Sequence, residues 1–226
     1  GSFLYSFAVI PNKSSEAIRG EEYYLQGMMY YSGSSVVKDS VEAVKWLRYA
    51  AAEGHVKAQY NLGVIYTKGE GVDKDLREAA KWFYSAAEQN YPKAQYYLGL
   101  FYGKGYGLSQ SNRQAAKYLV KAANHFDTQD YYSQAVTWCL RAAEGGDIFA
   151  SSVLGDFYSH GHGVSKNLSK ASQWYRKTAE LYEKQNNHKQ SILFYNKALE
   201  YNKESINSVG QIKQEIVPKK NQMVVF

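Results

Sequence analysis

The feature that constrains this chain most is a fixed period. Gly27, Gly63 and Gly99 stand 36 positions apart, and so do Trp46 and Trp82. A repeat of that length marks a stacked array, in which each copy is one supersecondary unit that buries its apolar face only against its neighbours. The fold is therefore argued from one unit and then copied along the chain.

The unit over residues 55–90 is the clearest. Ala58, Leu62, Ile65 and Tyr66 follow i, i+4, i+7 and i+8, the stripe of an amphipathic helix. Gly63 interrupts that helix at a phase that recurs, which predicts a close approach by a partner helix. The segment K-G-E-G-V then ends the helix. A second helix follows, with Ala79, Trp82, Phe83, Ala86 and Ala87 on one broad apolar face. Its start carries Asp75 with Glu78 three residues on, the pattern of a capping box. Asp39 with Glu42 and Ser111 with Gln114 repeat it, whereas Asn167 is followed by Lys170, so there the box is expected to be lost. Two antiparallel helices and a short turn make one unit, and stacking such pairs buries a continuous core.

Copies are predicted over 21–54, 55–90, 91–126 and 147–183, preceded by an N-terminal arm over 1–20 that reads as a short helix or an extended segment. The period fails once. The glycine due at position 135 appears as Gly155, although Trp138 to Gly155 keeps the spacing of Trp46 to Gly63. An extra second-type helix over 130–144 accounts for both, with a kink or a change of parity expected near Asp127–Gln129. A final helix is predicted over 188–202, followed by a C-terminal tail over 203–226 whose start reads as a short helix that Pro218 limits.

Composition excludes several classes. No apolar run approaches the ~18 residues of a membrane span. Gly1 and Ser2 look like a cloning remnant, with any targeting signal expected to be missing, so the compartment is left open. Cys139 is the single cysteine, so no intrachain disulfide forms, and a buried, inert thiol is expected. The net charge of +6 is scattered rather than clustered, unlike a dedicated nucleic-acid footprint. Gly103, Gly105 and Gly107 read as a repeat turn rather than a phosphate loop, because no strand precedes them. Asp156, His160 and His162 are the only weak metal candidate, short of the three or four well-placed ligands such sites use. No carboxylate pair and no Ser–His–Asp pattern stands out, so neither a catalytic residue nor a cofactor is expected.

Ala58, Leu62, Gly63, Tyr66, Gly69, Gly71, Val72, Ala79, Ala80, Trp82, Phe83, Ala86 and Ala87 together resemble the Sel-one-like repeat family, a branch of the tetratricopeptide-like helical repeats. The resemblance covers about 21–183 and implies an all-α fold: an α-solenoid of ten to eleven helices in a right-handed superhelix. It also implies a non-enzymatic adaptor or scaffold, in settings such as envelope or polysaccharide assembly and contact between bacteria and hosts. The abundance of Asn, Gln, Lys and Tyr points to an AT-rich bacterial genome. The secreted cysteine-rich branch of the family is not matched, since only Cys139 is present.

In such arrays the first helices line the concave surface. The stripe beside the core reads Lys57, Tyr60, Val64 and Lys68 in the second unit, and Lys93, Tyr96, Leu100 and Lys104 in the third. In the first unit it contains Tyr24 and Met28. These residues are the candidate groove for a protein or peptide partner with apolar anchors and acidic flanks, since tyrosine combines a large contact area with a polar tip. The competing reading is that the tyrosines pack on the next helix and serve the repeat itself. The alternative partner, RNA or single-stranded nucleic acid, requires Lys57, Lys68, Lys93 and Lys104 to form one continuous basic track.

Overall fold

A computed structural model describes residues 15–222, with side chains described as far as residue 207. The described residues form ten helices and no strand. They are α1 (Ser15–Ser32), α2 (Ser40–Ala52), α3 (Val56–Lys68), α4 (Leu76–Glu88), α5 (Pro92–Lys104), α6 (Asn112–Phe126), α7 (Gln129–Glu144), α8 (Ile148–His160), α9 (Leu168–Lys184) and α10 (His188–Gln222). The fold is an all-α helical-repeat solenoid. The chain divides into two compact units. The first runs to Phe101 and includes Tyr106–Ser109; the second holds Tyr102–Gly105 and everything from Gln110 on.

In the first unit, α1 pairs with α2 and α3 with α4, and α2 packs on α3. Leu47, Leu62, Ile65, Phe83 and Leu98 are fully buried there, surrounded by buried alanines of α2 and α4. Burying each such side chain contributes about 1.5–3 kcal/mol. The recurring helical glycine does what its phase predicts. A Cβ on Gly63 would lie 2.6 Å from the Phe83 ring, and one on Gly27 would lie 2.9 Å from Leu47. In both pairs the large residue comes 20 positions after the glycine, immediately after the tryptophan. The same spacing recurs in the second unit, where Tyr175 lies over Gly155.

Helix starts are fixed by a device only half visible in the sequence. Asp39 accepts hydrogen bonds from the backbone N–H groups of Val41 and Glu42, each at 3.0 Å. Asp75 does the same for Arg77 and Glu78 at 2.8 and 3.0 Å. The reciprocal arm of the capping box is replaced. The N–H groups of Asp39, Asp75, Ser111 and Asn167 donate to the carbonyls of Tyr30, Tyr66, Tyr102 and Tyr158, the recurring tyrosine of the preceding helix. Glu42 and Glu78 instead pair with Lys45 and Lys81. For the same reason nothing is lost at Asn167, which still accepts from Lys170 N–H at 2.9 Å.

In the second unit the extra helix is α7. It follows α6 after Asp127, whose φ of 49° closes α6 in the left-handed conformation. It packs on α6 and on α8, and α6 and α8 touch each other. Trp138 is buried against Gly103, unlike the half-buried Trp46 and Trp82.

At both ends helix continues beyond the repeats, and only its run through Pro218 departs from the reading of the sequence. Helix α1 takes in residues 15–20 of the predicted arm, while 1–14 lie outside the described residues. Helix α10 continues to Gln222, well past Asn202 and through Pro218. Loss of the repeat period and loss of helicity are separate signals, and no proline stands between Asn202 and Pro218 to stop the helix. Residues 223–226 lie outside the described residues.

Candidate partner-binding face

The candidate residues of the first unit sit on α1, α3 and α5. Tyr24 is half-buried, with its ring stacked on His55 at 4.4 Å. His55 caps α3: its Nδ1 accepts from Ala58 N–H at 3.2 Å, and its Nε2 lies 3.2 Å from Glu21. Met28 of α1 receives a contact from the Asn61 amide of α3 at 3.2 Å. Met28 and Val64, predicted as one column, share the lining of a cavity of about 70 Å³ with Tyr31, Leu47, Asn61 and Ile65. That volume admits at most a few waters, so it is a packing defect rather than a ligand site.

Tyr60 and Tyr96 come out differently from each other. The Tyr60 ring lies 5.3 Å from Tyr91 and 6.0 Å from both Phe83 and Tyr97. Phe83 and Tyr97 are themselves stacked at 5.1 Å. Tyr60 therefore belongs to an aromatic cluster that joins α3, α4 and α5, as the packing reading holds. Tyr96 lies edge-on to Tyr97 at 5.8 Å. Leu100 is half-buried. Lys57 and Lys93 are exposed at the starts of α3 and α5. Lys68 is paired with Glu70 at 3.4 Å, which interrupts the basic track that a nucleic acid would need. Lys104, also exposed, falls in the second unit.

Two polar features of this unit were missed in the sequence. The Tyr31 hydroxyl donates to Glu70 at 2.5 Å. This hydrogen bond raises the tyrosine pKa above its ordinary value and lowers that of the carboxylate. Buried Gln59 donates to the Ala51 carbonyl at 3.2 Å, and buried Gln95 donates to the Ala87 carbonyl at 3.4 Å. Each glutamine ties a first helix to the C-terminal end of the second helix before it. The recurrence of A-Q-Y at 58–60 and 94–96 was the available signal.

The remaining chemistry is structural. The Asp156 carboxylate accepts from the Tyr175 hydroxyl at 2.7 Å and pairs with Lys197 at 2.8 Å. His160 Nδ1 lies 2.8 Å from the Asp156 carbonyl, and His162 stacks on Tyr132. Among the described residues no group of three His, Cys, Asp or Glu side chains is arranged to hold a metal. Cys139 is buried, and that burial, with Asp147 adding a smaller effect, pushes its thiol up to about 12. Gly103 lies within α5 beneath Trp138, and Gly107 faces the Leu76 carbonyl with φ of 65°. Both are packing glycines rather than a phosphate cradle. No described helix is long and apolar enough to cross a membrane.

Stacked helix pairs, close-approach glycines and a half-buried aromatic face define a helical-repeat protein of the interaction type. The chain belongs to the Sel1 repeat family, whose pattern matches residues 23–55, 56–91, 92–125, 128–147 and 150–183, more than half of the chain. The fourth match is the short one and coincides with α7. Proteins of this family generally mediate protein–protein interaction and are generally non-catalytic scaffolds. Among curated proteins, the chain is 45% identical over 47 residues to the chitin synthase regulator SKT5 of Saccharomyces cerevisiae, 21% of this chain and 7% of that protein. The match thus spans a small part of that relative's length. Among solved structures, a Sel1 repeat protein from Oxalobacter formigenes is 32% identical, covering 71% of this chain and 73% of that one, with a TM-score of 0.47. A protective antigen of uropathogenic Escherichia coli strains, c5321, is 29% identical over 80% of this chain and 46% of its own, also with a TM-score of 0.47.

Proposed function

We propose that this chain is a non-catalytic, protein-binding adaptor whose partner docks on the face formed by α1, α3 and α5. The observation that carries the reading is the division of labour on that face. Tyr60 is held in the aromatic cluster, whereas Lys57 and Lys93 are exposed at the starts of α3 and α5, the helices that carry half-buried Val64, Tyr96 and Leu100. Half-buried tyrosines with exposed lysines beside them suit a protein segment with apolar anchors and acidic flanks, because aromatic residues supply most of the contact energy and rim charges steer encounter. The wider setting that fits is assembly of a wall or envelope, since the curated relative sharing 47 residues is a chitin synthase regulator.

The test is a quantitative affinity capture with wild type, a Tyr96→Ala/Leu100→Ala variant and a Lys57→Glu/Lys93→Glu variant. Both variants are expected to retain the wild-type melting profile within a few degrees and to lose the same partner. A partner retained in full by both variants contradicts this assignment of the face.

A further inference from the structure

The second unit contains a groove of about 540 Å³. One wall is α6. Arg113, Lys117 and Lys121 lie at i, i+4 and i+8, one stripe about 12 Å long at 1.5 Å per residue. The other wall contributes Phe149, the second residue of α8, which is 40% exposed. Val120 lies at the apolar base.

The groove lies where the repeat is broken. Because α7 is inserted whole, α6 and α8 both pack on it and touch each other. Phe149 stands at the register where the earlier units carry Lys57 and Lys93, once the shift of 20 positions is allowed for. An exposed cation has thus been exchanged for an exposed aromatic ring beside a cationic stripe.

The cations differ in commitment. Arg113 is paired with Asp147 at 3.1 Å. Lys117 and Lys121 have no carboxylate partner among the described residues. Their ammonium groups lie 5.6 and 5.7 Å from the centre of the Tyr118 ring, which holds both near the stripe. None of the residues lining the groove is acidic.

We propose that this groove is a docking site for an acidic segment of another protein, which seats one large apolar side chain against Phe149 and Val120 and sets carboxylates on Lys117 and Lys121. Charge complementarity selects the sign of the partner, and the exposed ring supplies an anchor that a charge patch alone lacks. A nucleic acid fits less well, because two uncommitted lysines on two turns of helix are a short track for a phosphate backbone. The inference goes beyond the proposed function. It names a second surface on the other unit and stands whether or not the tyrosine-bearing face binds.

The probe is a fluorescein-labelled synthetic peptide with glutamates flanking a single tryptophan, followed by fluorescence anisotropy on the full chain. A lysine-for-glutamate version of the peptide and a labelled oligothymidine serve as comparators. Lys117→Glu/Lys121→Glu is expected to weaken the acidic peptide by about tenfold or more and to reverse the preference between the two peptides. Phe149→Ala is expected to weaken it several-fold without changing its salt dependence. Arg77→Glu/Lys81→Glu, at exposed positions of α4 outside both faces, is expected to leave it within about twofold of wild type. All the substituted side chains are exposed, and matching melting profiles establish that the variants are folded. No measurable binding, an equal loss in the Arg77→Glu/Lys81→Glu variant, or tighter binding of oligothymidine through the same lysines would each overturn the proposal.

Discussion

At the scale of single residues, the fold rests on side chains that are missing as much as on those present. Gly63 leaves the space that the Phe83 ring occupies, with 2.6 Å between the ring and where a Cβ would be. Gly63→Ala forces Phe83 off its rotamer or pushes α3 from α4, an overpacking cost of about 1–3 kcal/mol. A urea titration is expected to show the midpoint falling with an unchanged slope. Cys139 gives a second test. Its folded-state pKa is raised by burial to about 12, above the unfolded value of about 8.5. The neutral thiol therefore contributes stability that is fully present below the unfolded pKa and is lost as pH rises through the folded value. Native protein at pH 8 is expected to resist a thiol-specific chromogenic reagent and to react only as fast as it unfolds; rapid native-state labelling would contradict the burial. Tyr60 belongs here as well. With rings 5.3–6.0 Å away on three sides, Tyr60→Ala should lower the melting temperature distinctly more than Tyr96→Ala does.

At the scale of the helical element, the repeat is joined by backbone as much as by side chains. The N-cap N–H of α2, α4, α6 and α9 donates to a tyrosine carbonyl of the preceding first helix, at 3.0 Å for Asp39 to Tyr30. Replacing Asp39 by Ala removes two hydrogen bonds to orphan donors and should cost about 1 kcal/mol in a thermal melt. Glu42→Ala should cost much less, because the bond that a capping box assigns to Glu42 is already taken by Tyr30. An equal loss from both would restore the reciprocal box. This marks the limit of what spacing reveals. Asp39 and Glu42 three apart is a pattern on a string, and the competing acceptor is nine residues upstream at Tyr30, brought close only when the helices fold back. The glycine phase, by contrast, was legible, because a helix cannot hide why it tolerates Gly63. Gln59 was visible as a repeated letter but silent in meaning, since its partner is the carbonyl of Ala51, which has no side-chain signature.

At the scale of the whole molecule, the array is a sum of neighbouring contacts, so one inserted helix can be absorbed without loss of fold. The insertion of α7 was read from a spacing, Trp138 to Gly155, that survived when the glycine period did not. What could not be read was the meeting of α6 with α8 and the groove they line, which depends on how three helices pack rather than on any periodic position. The same limit applied to the binding face. Sequence placed Tyr60 and Tyr96 at one register and could not separate them, whereas packing puts one inside an aromatic cluster and the other at its edge. The central claim, that the face of α1, α3 and α5 holds a protein partner, is tested most directly by site-specific photo-crosslinking. A benzophenone amino acid is placed at Lys57 or Lys93, and at exposed Arg77 or Lys81 of α4 as a comparison. The account predicts one polypeptide crosslinked from both Lys57 and Lys93 and absent from the α4 positions. Crosslinks to that polypeptide from Arg77 and Lys81 alone would contradict it.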